Sequence, residues 1–206
     1  MSEIRIYVEG GGDGSESRAA VRQAVGMFLR DLRARAEQRR IGWKIIACGS
    51  RSQAYKNFCT ALETHPDSFN ILLVDAEAAV EHKPWQHLKQ RDSWSQPPGT
   101  TDDQCQLMVQ TMESWLVIDD QALQTFYRQG FHVKQLPKHN TIEAVSKEDI
   151  AAALSRATKD TQAGVYHKVR HGSKLLGMLD VARVRAAAPH CDRLFRTIEQ
   201  LINRDP

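Results

Sequence analysis

The sequence predicts an α/β fold built on a parallel sheet, because three short apolar runs alternate with two helical patterns in its first third. The runs span residues 4–8, 43–48 and 69–74, and each is short enough and apolar enough for a buried strand. The helical patterns lie between them, at residues 15–40 and 51–63. A β-α-β-α-β order of this kind implies parallel strands joined by right-handed crossovers.

The two helices of this unit have recognisable ends. Ser15 follows a glycine-rich loop and is predicted to be the N-cap of one long helix that ends at the basic pair Arg39 and Arg40. Its apolar positions are Val21, Val25, Phe28, Leu29 and Leu32. The second helix follows the turn at Gly49 and is predicted to end before Pro66.

Beyond the third strand the pattern changes. Residues 78–101 are rich in proline and tryptophan and are predicted to form a long, partly ordered loop. Asp102 is predicted to cap a helix with Leu107, Met108 and Trp115 on one side, and a shorter helix is predicted from Asp119 to Tyr127.

The final third is predicted to be helical, with Ser146 and Asp149 at capping-box spacing and further helical patterns at residues 166–179 and 193–202. We therefore expect an α/β core at residues 1–130, with the loop 78–101, and a helical extension at 131–206 packed on that core.

Composition limits the classes of protein. The 28 lysines and arginines against 25 aspartates and glutamates give a net charge of +3, too small to predict nucleic-acid binding by itself. Arginines nevertheless crowd residues 30–40, and a second basic segment spans 168–174. Four widely spaced cysteines and the absence of long apolar runs predict reduced thiols and a soluble, cytoplasmic protein that does not enter a membrane.

Carboxylates follow two of the predicted strands at the point where each strand ends. Glu9 opens a glycine-rich loop after the first strand, and Asp75 and Glu77 come directly after the third. The carboxyl ends of parallel strands meet at one edge of a sheet, and alternation along an extended segment would turn Asp75 and Glu77 to the same side. Three such groups suit a hard cation, Mg²⁺ or Mn²⁺. The loop lacks the G-x-x-x-x-G-K-[ST] pattern of nucleotide-binding P-loops.

The motifs V-E-G-G-G-D and L-L-V-D-A-E resemble those of the Toprim superfamily, the catalytic module of topoisomerases, primases and overcoming-lysogenization-defect nucleases. Glu9 matches the glutamate after the first strand, and Asp75 with Glu77 matches the D-x-D motif, with Glu77 in place of the second aspartate. Together with P-W-Q-H-L and T-D-D-Q-C-Q-L-M-V-Q-T-M-E-S-W, these motifs resemble a small bacterial Toprim-like family associated with anti-phage defence islands.

The resemblance implies a Mg²⁺-dependent nuclease, a phosphodiester hydrolase that works with a partner ATPase. In such an enzyme Asp75 and Glu77 hold the metal, and Glu9 completes the metal shell or acts as general acid or base. The candidates for binding the substrate phosphate are Arg51, Lys168, Arg170 and His171. Glu113, within an apolar helix, is predicted either to pair with a lysine or arginine or to join the site as a further acid.

Two other functions stay open. The fold can serve as a non-catalytic module that binds nucleic acid or a partner protein, and the same acids can serve a phosphatase or phosphotransferase acting on a small molecule. The sequence leaves open the choice of DNA or RNA, the number of metal ions and the oligomeric state.

Overall fold

A parallel sheet of four strands forms the centre of the molecule. The computed structural model describes residues 2–204, without the side chains of residues 139–141. Its strands are β1 (Glu3–Val8), β2 (Gly42–Ala47), β3 (Ser68–Asp75) and β4 (Cys105–Met108). They are hydrogen-bonded in the order β2-β1-β3-β4, and all three pairings are parallel. The predicted α/β class is therefore confirmed.

The strand register places the predicted acids at one edge of the sheet. Val8, the last residue of β1, pairs with Ala47 of β2 and with Leu73 of β3. Asp75 ends β3 and pairs with Met108 at the end of β4. Since all four strands run in the same direction, the chain leaves β1, β3 and β4 on the same side, where the loops that carry the acids begin.

Helices cover both faces of this sheet. They are α1 (Ser15–Phe28), α2 (Arg30–Gln38), α3 (Arg51–Thr64), α4 (Pro84–Asp92), α5 (Met112–Leu116), α6 (Asp120–Tyr127), α7 (Lys147–Thr158), α8 (Ser173–Leu176), α9 (Val181–Ala187) and α10 (Pro189–Asn203). Side chains alternate across each strand, so Ile6 packs into the main core with Phe28 of α1, whereas Tyr7 packs on the opposite face with Phe58 of α3. None of the helices in residues 2–204 combines the length and the apolar character needed to cross a membrane.

The predicted long first helix is instead two helices. Gly14, and not Ser15, occupies the N-cap position of α1, and no side chain caps that end. The helix is interrupted at Leu29, whose ψ of 14° departs from helical geometry, and α2 then continues to Gln38. The bend keeps Phe28, Leu29 and Leu32 at no more than 3% exposure as the chain crosses the sheet.

The prediction of a long, partly ordered loop at residues 78–101 was wrong in its middle, where α4 forms. Pro84 occupies the first turn of this helix, where the missing N–H of proline costs no hydrogen bond. Trp85 and Leu88 are at most 3% exposed and attach α4 to the face that also holds Phe58. Pro84 and Trp85, two of the residues that suggested a loop, thus belong to a buried helix start, whereas Trp94, Pro97 and Pro98 follow the helix.

The prediction of a helix that begins at Asp102 was also wrong. Residues Asp102–Gln104 make one 3₁₀ turn, Cys105–Met108 form β4, and only Met112–Leu116 are α-helical. All four residues of β4 are buried, with Leu107 and Met108 in different cores. A short, wholly buried segment has the same apolar pattern in a strand and in a helix. Here the segment forms a strand because it pairs with the edge of β3 that β1 leaves free.

The later helices agree in part with the prediction. Asp119 and Ser146 are the N-caps of α6 and α7, each accepting a hydrogen bond from a main-chain N–H, which confirms both predicted helix starts. The pattern at 166–179 forms less helix than predicted, namely a π-helical turn (Lys168–Gly172) followed by α8. This part of the chain supplies Leu175, Leu194 and Ile198 to the same apolar core as Ile6.

Candidate metal centre

Three carboxylates meet at the edge of the sheet where the strands end. One oxygen from each of Glu9, Asp75 and Glu77 lies within 4.8 Å of the other two. Two hydrogen bonds hold Glu9 against β3. Its main-chain N–H donates to the carbonyl oxygen of Leu73 (3.0 Å), and its side-chain Oε2 accepts from the main-chain N–H of Asp75 (3.2 Å). The pairing of β1 with β3 therefore brings the first acid to the other two.

Two glycine turns keep the backbone close around Glu9. Gly10 and Gly49 exchange two main-chain hydrogen bonds of 2.8 and 3.0 Å, which join the ends of β1 and β2. A Cβ on Gly11 would lie 2.7 Å from the Cα of Arg18, and one on Gly49 would lie 2.5 Å from the carbonyl oxygen of Gly12. Both glycines also have positive φ angles, of 88° and 81°. The glycine-rich loop thus packs the backbone tightly where Glu9 leaves the strand.

Asp75 and Glu77 converge for a different reason from the one predicted. Asp75 ends β3, but Glu77 has a φ of 66°, in the left-handed region, so extended alternation does not continue through both residues. The N–H of Glu77 donates to the carbonyl oxygen of Gln110 (2.6 Å), which fixes this turn to the segment after β4. A residue other than glycine in this conformation is locally strained, and such strain concentrates at functional sites.

Each of the three carboxylates has a basic partner. Arg51 Nη1 lies 3.4 Å from Glu9 Oε2, Lys168 Nζ lies 3.1 Å from Asp75 Oδ2, and Lys147 Nζ lies 2.5 Å from Glu77 Oε2. We predicted Arg51 and Lys168 as site residues but missed Lys147. It begins α7 seventy residues after its partner, and a lysine in the first turn of a helix carries no sequence signal for such a contact.

Arg51 is held in a fixed orientation. Its guanidinium makes two hydrogen bonds to Asp92, of 3.1 and 2.7 Å, and Nη1 also donates to the main-chain oxygen of Asp75. Its Cζ lies 5.1 Å from the ring centre of Trp94, which stacks on Tyr55 at 4.4 Å. Asp92 and Trp94 come from α4 and the residues after it, the segment that we predicted as loop, so their role was also missed.

Lys168 connects Asp75 to Glu113. Its Nζ lies 3.3 Å from Glu113 Oε2, and Glu113 Oε1 accepts a hydrogen bond from the hydroxyl of Tyr166 (3.0 Å). Glu113 is 7% exposed, so its charge needs these partners. Of the two roles predicted for Glu113, the structure gives it the pairing with a lysine, and that lysine also contacts the acidic cluster.

Burial and charge shift the pKa values of the three acids in different directions. Burial raises the pKa of Asp75 to about 7, helped by the charges of Glu9 and Glu113 and opposed by Lys168. Burial also raises the pKa of Glu9, against the effect of Arg51. Burial would raise the pKa of Glu77 too, but the hydrogen bond and charge of Lys147 outweigh it, and the pKa is lowered. A proton therefore competes for Asp75 near neutral pH, and Glu9 holds its proton more tightly than an exposed glutamate does.

The donor set fits a divalent cation. All three side chains offer carboxylate oxygens, the donors that Mg²⁺ and Mn²⁺ prefer. Ligands at about 2.1 Å from Mg²⁺ lie roughly 3.0 to 4.2 Å apart in an octahedron, so oxygens within 4.8 Å of one another need only small side-chain movements. Asp75, Glu77 and Glu9 would hold the ion, which would take over the charge compensation that Lys168 and Lys147 provide.

The other two phosphate-binding candidates do not join this cluster. His171 is 7% exposed, and its Nδ1 accepts hydrogen bonds from the Tyr127 hydroxyl (2.9 Å) and the His167 N–H (3.2 Å). Desolvation lowers its pKa, which favours the neutral ring, and these hydrogen bonds give it a structural role; its binding of phosphate stays a prediction. Arg170 is exposed on the same π-helical turn as Lys168. Neither residue is among the described residues that line the cavity beside Glu9 and Asp75.

Comparison with models of protein families gives a match over most of the chain. The model of a family described as a domain of unknown function, DUF4276, matches residues 8–199. The matched range includes the three carboxylates and all three of their basic partners. No curated protein and no solved structure matched the chain.

Proposed function

We propose that this chain, which belongs to the DUF4276 family of unknown function, is a Mg²⁺-dependent, Toprim-like nuclease that hydrolyses phosphodiester bonds in nucleic acid. The observation that carries the proposal is the convergence of Glu9, Asp75 and Glu77 at the carboxyl edge of a parallel sheet. Acids at this position suit a metal ion, and the basic side chains around them suit a phosphate.

The residues divide into metal ligands and phosphate-binding groups. Asp75 and Glu77 hold the ion, which when bound supplies charge stabilisation for the scissile phosphate and an activated water. Glu9 completes the shell or accepts a proton from the attacking water, a role for which its raised pKa suits it. Lys168, whose side chain is 56% exposed, can leave Asp75 to bind a phosphate oxygen, whereas Arg51 is fixed by Asp92.

An exposed basic segment beside the site supports nucleic acid as the substrate. His167, Lys168 and Arg170 are exposed and lie within four residues of one another, on the side where Lys168 meets Asp75. We extend the proposal to a role in anti-phage defence together with a partner ATPase, which rests on the resemblance of the motifs. The sequence has no Walker motif of its own. The four free thiols support a cytoplasmic location.

A non-catalytic module is the second candidate, and one observation favours it. Arg51, Lys168 and Lys147 already neutralise the three carboxylates pairwise, so the cluster is stable without a cation and could serve only to hold the C-terminal helices against the sheet. In that case the exposed basic segment would bind nucleic acid or a partner protein without chemistry.

Cleavage assays with matched variants distinguish these functions. Glu9→Gln and Asp75→Asn remove one charge each and keep the shape, and Glu37→Gln, an exposed acid paired with Arg33 on α2, is the control. We expect Mg²⁺- or Mn²⁺-dependent cleavage of DNA or RNA that falls at least about 100-fold in the two site variants and not in the control. Assays include the partner ATPase where the chain alone is inactive.

Two other outcomes would contradict the nuclease. Nucleic-acid binding that persists in both site variants, with no cleavage by the wild type under any metal, supports the non-catalytic module. Turnover of nucleotides or sugar phosphates without cleavage of a polynucleotide supports a small-molecule phosphatase or phosphotransferase.

A further inference from the structure

A cavity of about 230 Å³ lies inside the molecule, directly next to the acidic edge of the sheet. It is enclosed by α1, the carboxyl halves of β1 and β3, α5 and α8. Its apolar wall includes Val25, Phe28, Leu73 and Trp115, each at most 4% exposed. The cavity is therefore a deep pocket with a buried apolar wall, and exposed residues such as Val169 line its open end.

The size of the cavity suggests that it has an occupant. Protein interiors are packed about as densely as organic crystals and contain few voids larger than a water molecule. Side chains around an empty apolar void lose packing contacts, which lowers stability. For comparison, an engineered apolar cavity of about 150 Å³ in another protein binds benzene. A cavity of about 230 Å³ has room for a six-membered ring with one substituent.

The wall favours an aromatic ring. Phe28 and Trp115 stack on each other at 5.4 Å between ring centres, and the thioether side chains of Met108 and Met112 complete the same wall. Aromatic rings pair favourably with both groups. A nucleobase fits less well, because its polar edges need hydrogen-bond partners and this wall is mostly hydrocarbon.

One end of the cavity is polar. Glu9, Asp75 and Lys168 line it there, two acceptors and one donor that can bind a single polar substituent. Val169 lines the cavity and is 58% exposed, so the π-helical turn that carries it forms the entrance.

We propose that this cavity binds a small monocyclic aromatic molecule, with the ring against Phe28 and Trp115 and one polar substituent at Glu9, Asp75 and Lys168. The site does not depend on the proposed nuclease activity, since its binding energy comes from the apolar wall. A ligand there would contact two of the three proposed metal ligands, so this site could connect a small molecule to the acidic cluster.

Calorimetric titration of the full chain with benzyl alcohol, in EDTA, tests the proposal without any metal or nuclease substrate. For a ligand of eight non-hydrogen atoms we expect a dissociation constant of about 1 mM or tighter. Cyclohexylmethanol has the same skeleton without the aromatic ring and should bind at least about threefold more weakly. Uracil should bind more weakly than both.

Variants locate the binding in the cavity. Val25→Phe and Leu176→Phe each fill the space and should weaken binding at least about tenfold, with folding checked by circular dichroism. Met27→Phe, on the same helix as Val25 but 46% exposed, adds a ring to the surface and should leave the affinity within about twofold. No saturable binding by the wild type, or unchanged binding in either folded cavity variant, would overturn the proposal. These binding results do not depend on whether the protein is a nuclease, because the assay contains neither metal nor nucleic acid.

Discussion

Asp75→Asn should stabilise the metal-free protein at neutral and alkaline pH, although it removes the central acid of the site. Asp75 is 2% exposed, and burial raises its pKa from 3.8 to about 7. The folded state therefore binds a proton more tightly than the unfolded chain does. Such a group contributes stability that is fully present below pH 3.8 and is lost as the pH rises through about 7.

The size of the effect follows from the pKa difference. A shift of roughly three units, at about 1.4 kcal/mol per unit, amounts to about 4 kcal/mol of free energy of unfolding between pH 4 and pH 8. Asparagine has no proton to lose in this range, and its Oδ1 can still accept the N–H of Met112, which is 2.7 Å from Asp75 Oδ1. The amide group of the asparagine would face Lys168, and this contact reduces the stabilisation of the variant at high pH. It does not change the difference between the two proteins in how the free energy of unfolding varies with pH.

The assay is urea denaturation of wild type and Asp75→Asn in EDTA at several pH values from 4 to 8. We expect the wild type to lose stability relative to the variant as the pH rises, by about 4 kcal/mol over the range. Glu77→Gln is the matched control, because the pKa of Glu77 is shifted in the opposite direction from that of Asp75. Lys147 lowers the pKa of Glu77, so its charge adds stability above pH 4.5 that is lost as the pH falls, and the glutamine variant should be the less stable protein at pH 8. Parallel curves for wild type and Asp75→Asn would refute the reasoning.

Three further predictions concern the metal, His171 and one helix cap. Mn²⁺ at about 100 times its dissociation constant should raise the free energy of unfolding of the wild type by about 2.7 kcal/mol and leave Asp75→Asn unchanged, as measured in the same denaturation assay; an equal response would contradict the site. His171 is buried in its neutral form, so the wild type should lose stability relative to His171→Asn as the pH falls below about 6.5, and pH-independent differences would count against this assignment. Ser146→Ala removes the N-cap of α7 and should cost about 1 kcal/mol, whereas Ser2→Ala, at the exposed start of β1, should have a much smaller effect.

The strand ends could be predicted from sequence because they depend on local pattern. Apolar runs at 4–8 and 69–74 correspond to β1 and β3, and parallel strands place Glu9 and Asp75 at one edge whatever the rest of the chain does. The segment 105–108 could not be assigned in this way. Four buried residues suit a strand or a helix equally, and only the unpaired edge of β3 makes β4 a strand.

The partners of the acids could not be predicted, since they come from distant segments. Asp92 orients Arg51 from a helix hidden in a proline-rich stretch, and Lys147 reaches Glu77 from the first turn of α7. Such contacts depend on how helices pack on the sheet, and side-chain chemistry alone does not reveal them. Closeness in sequence can also mislead. His171 lies three residues from Lys168, yet its side chain is hydrogen-bonded to Tyr127 and does not contact the acids.

These long-range contacts also determine which part of the chain makes the site. The carboxylates belong to the α/β core, but two of their three basic partners, Lys147 and Lys168, follow residue 130. Without those two lysines the charges of Asp75 and Glu77 would lose their nearest compensation, and burial would drive Asp75 further towards its protonated form. The helical extension is therefore a component of the acidic site, and a cation that displaced its lysines would also loosen the contact between extension and core. Binding of the proposed metal ion would in this way be coupled to the position of the π-helical turn that carries Lys168.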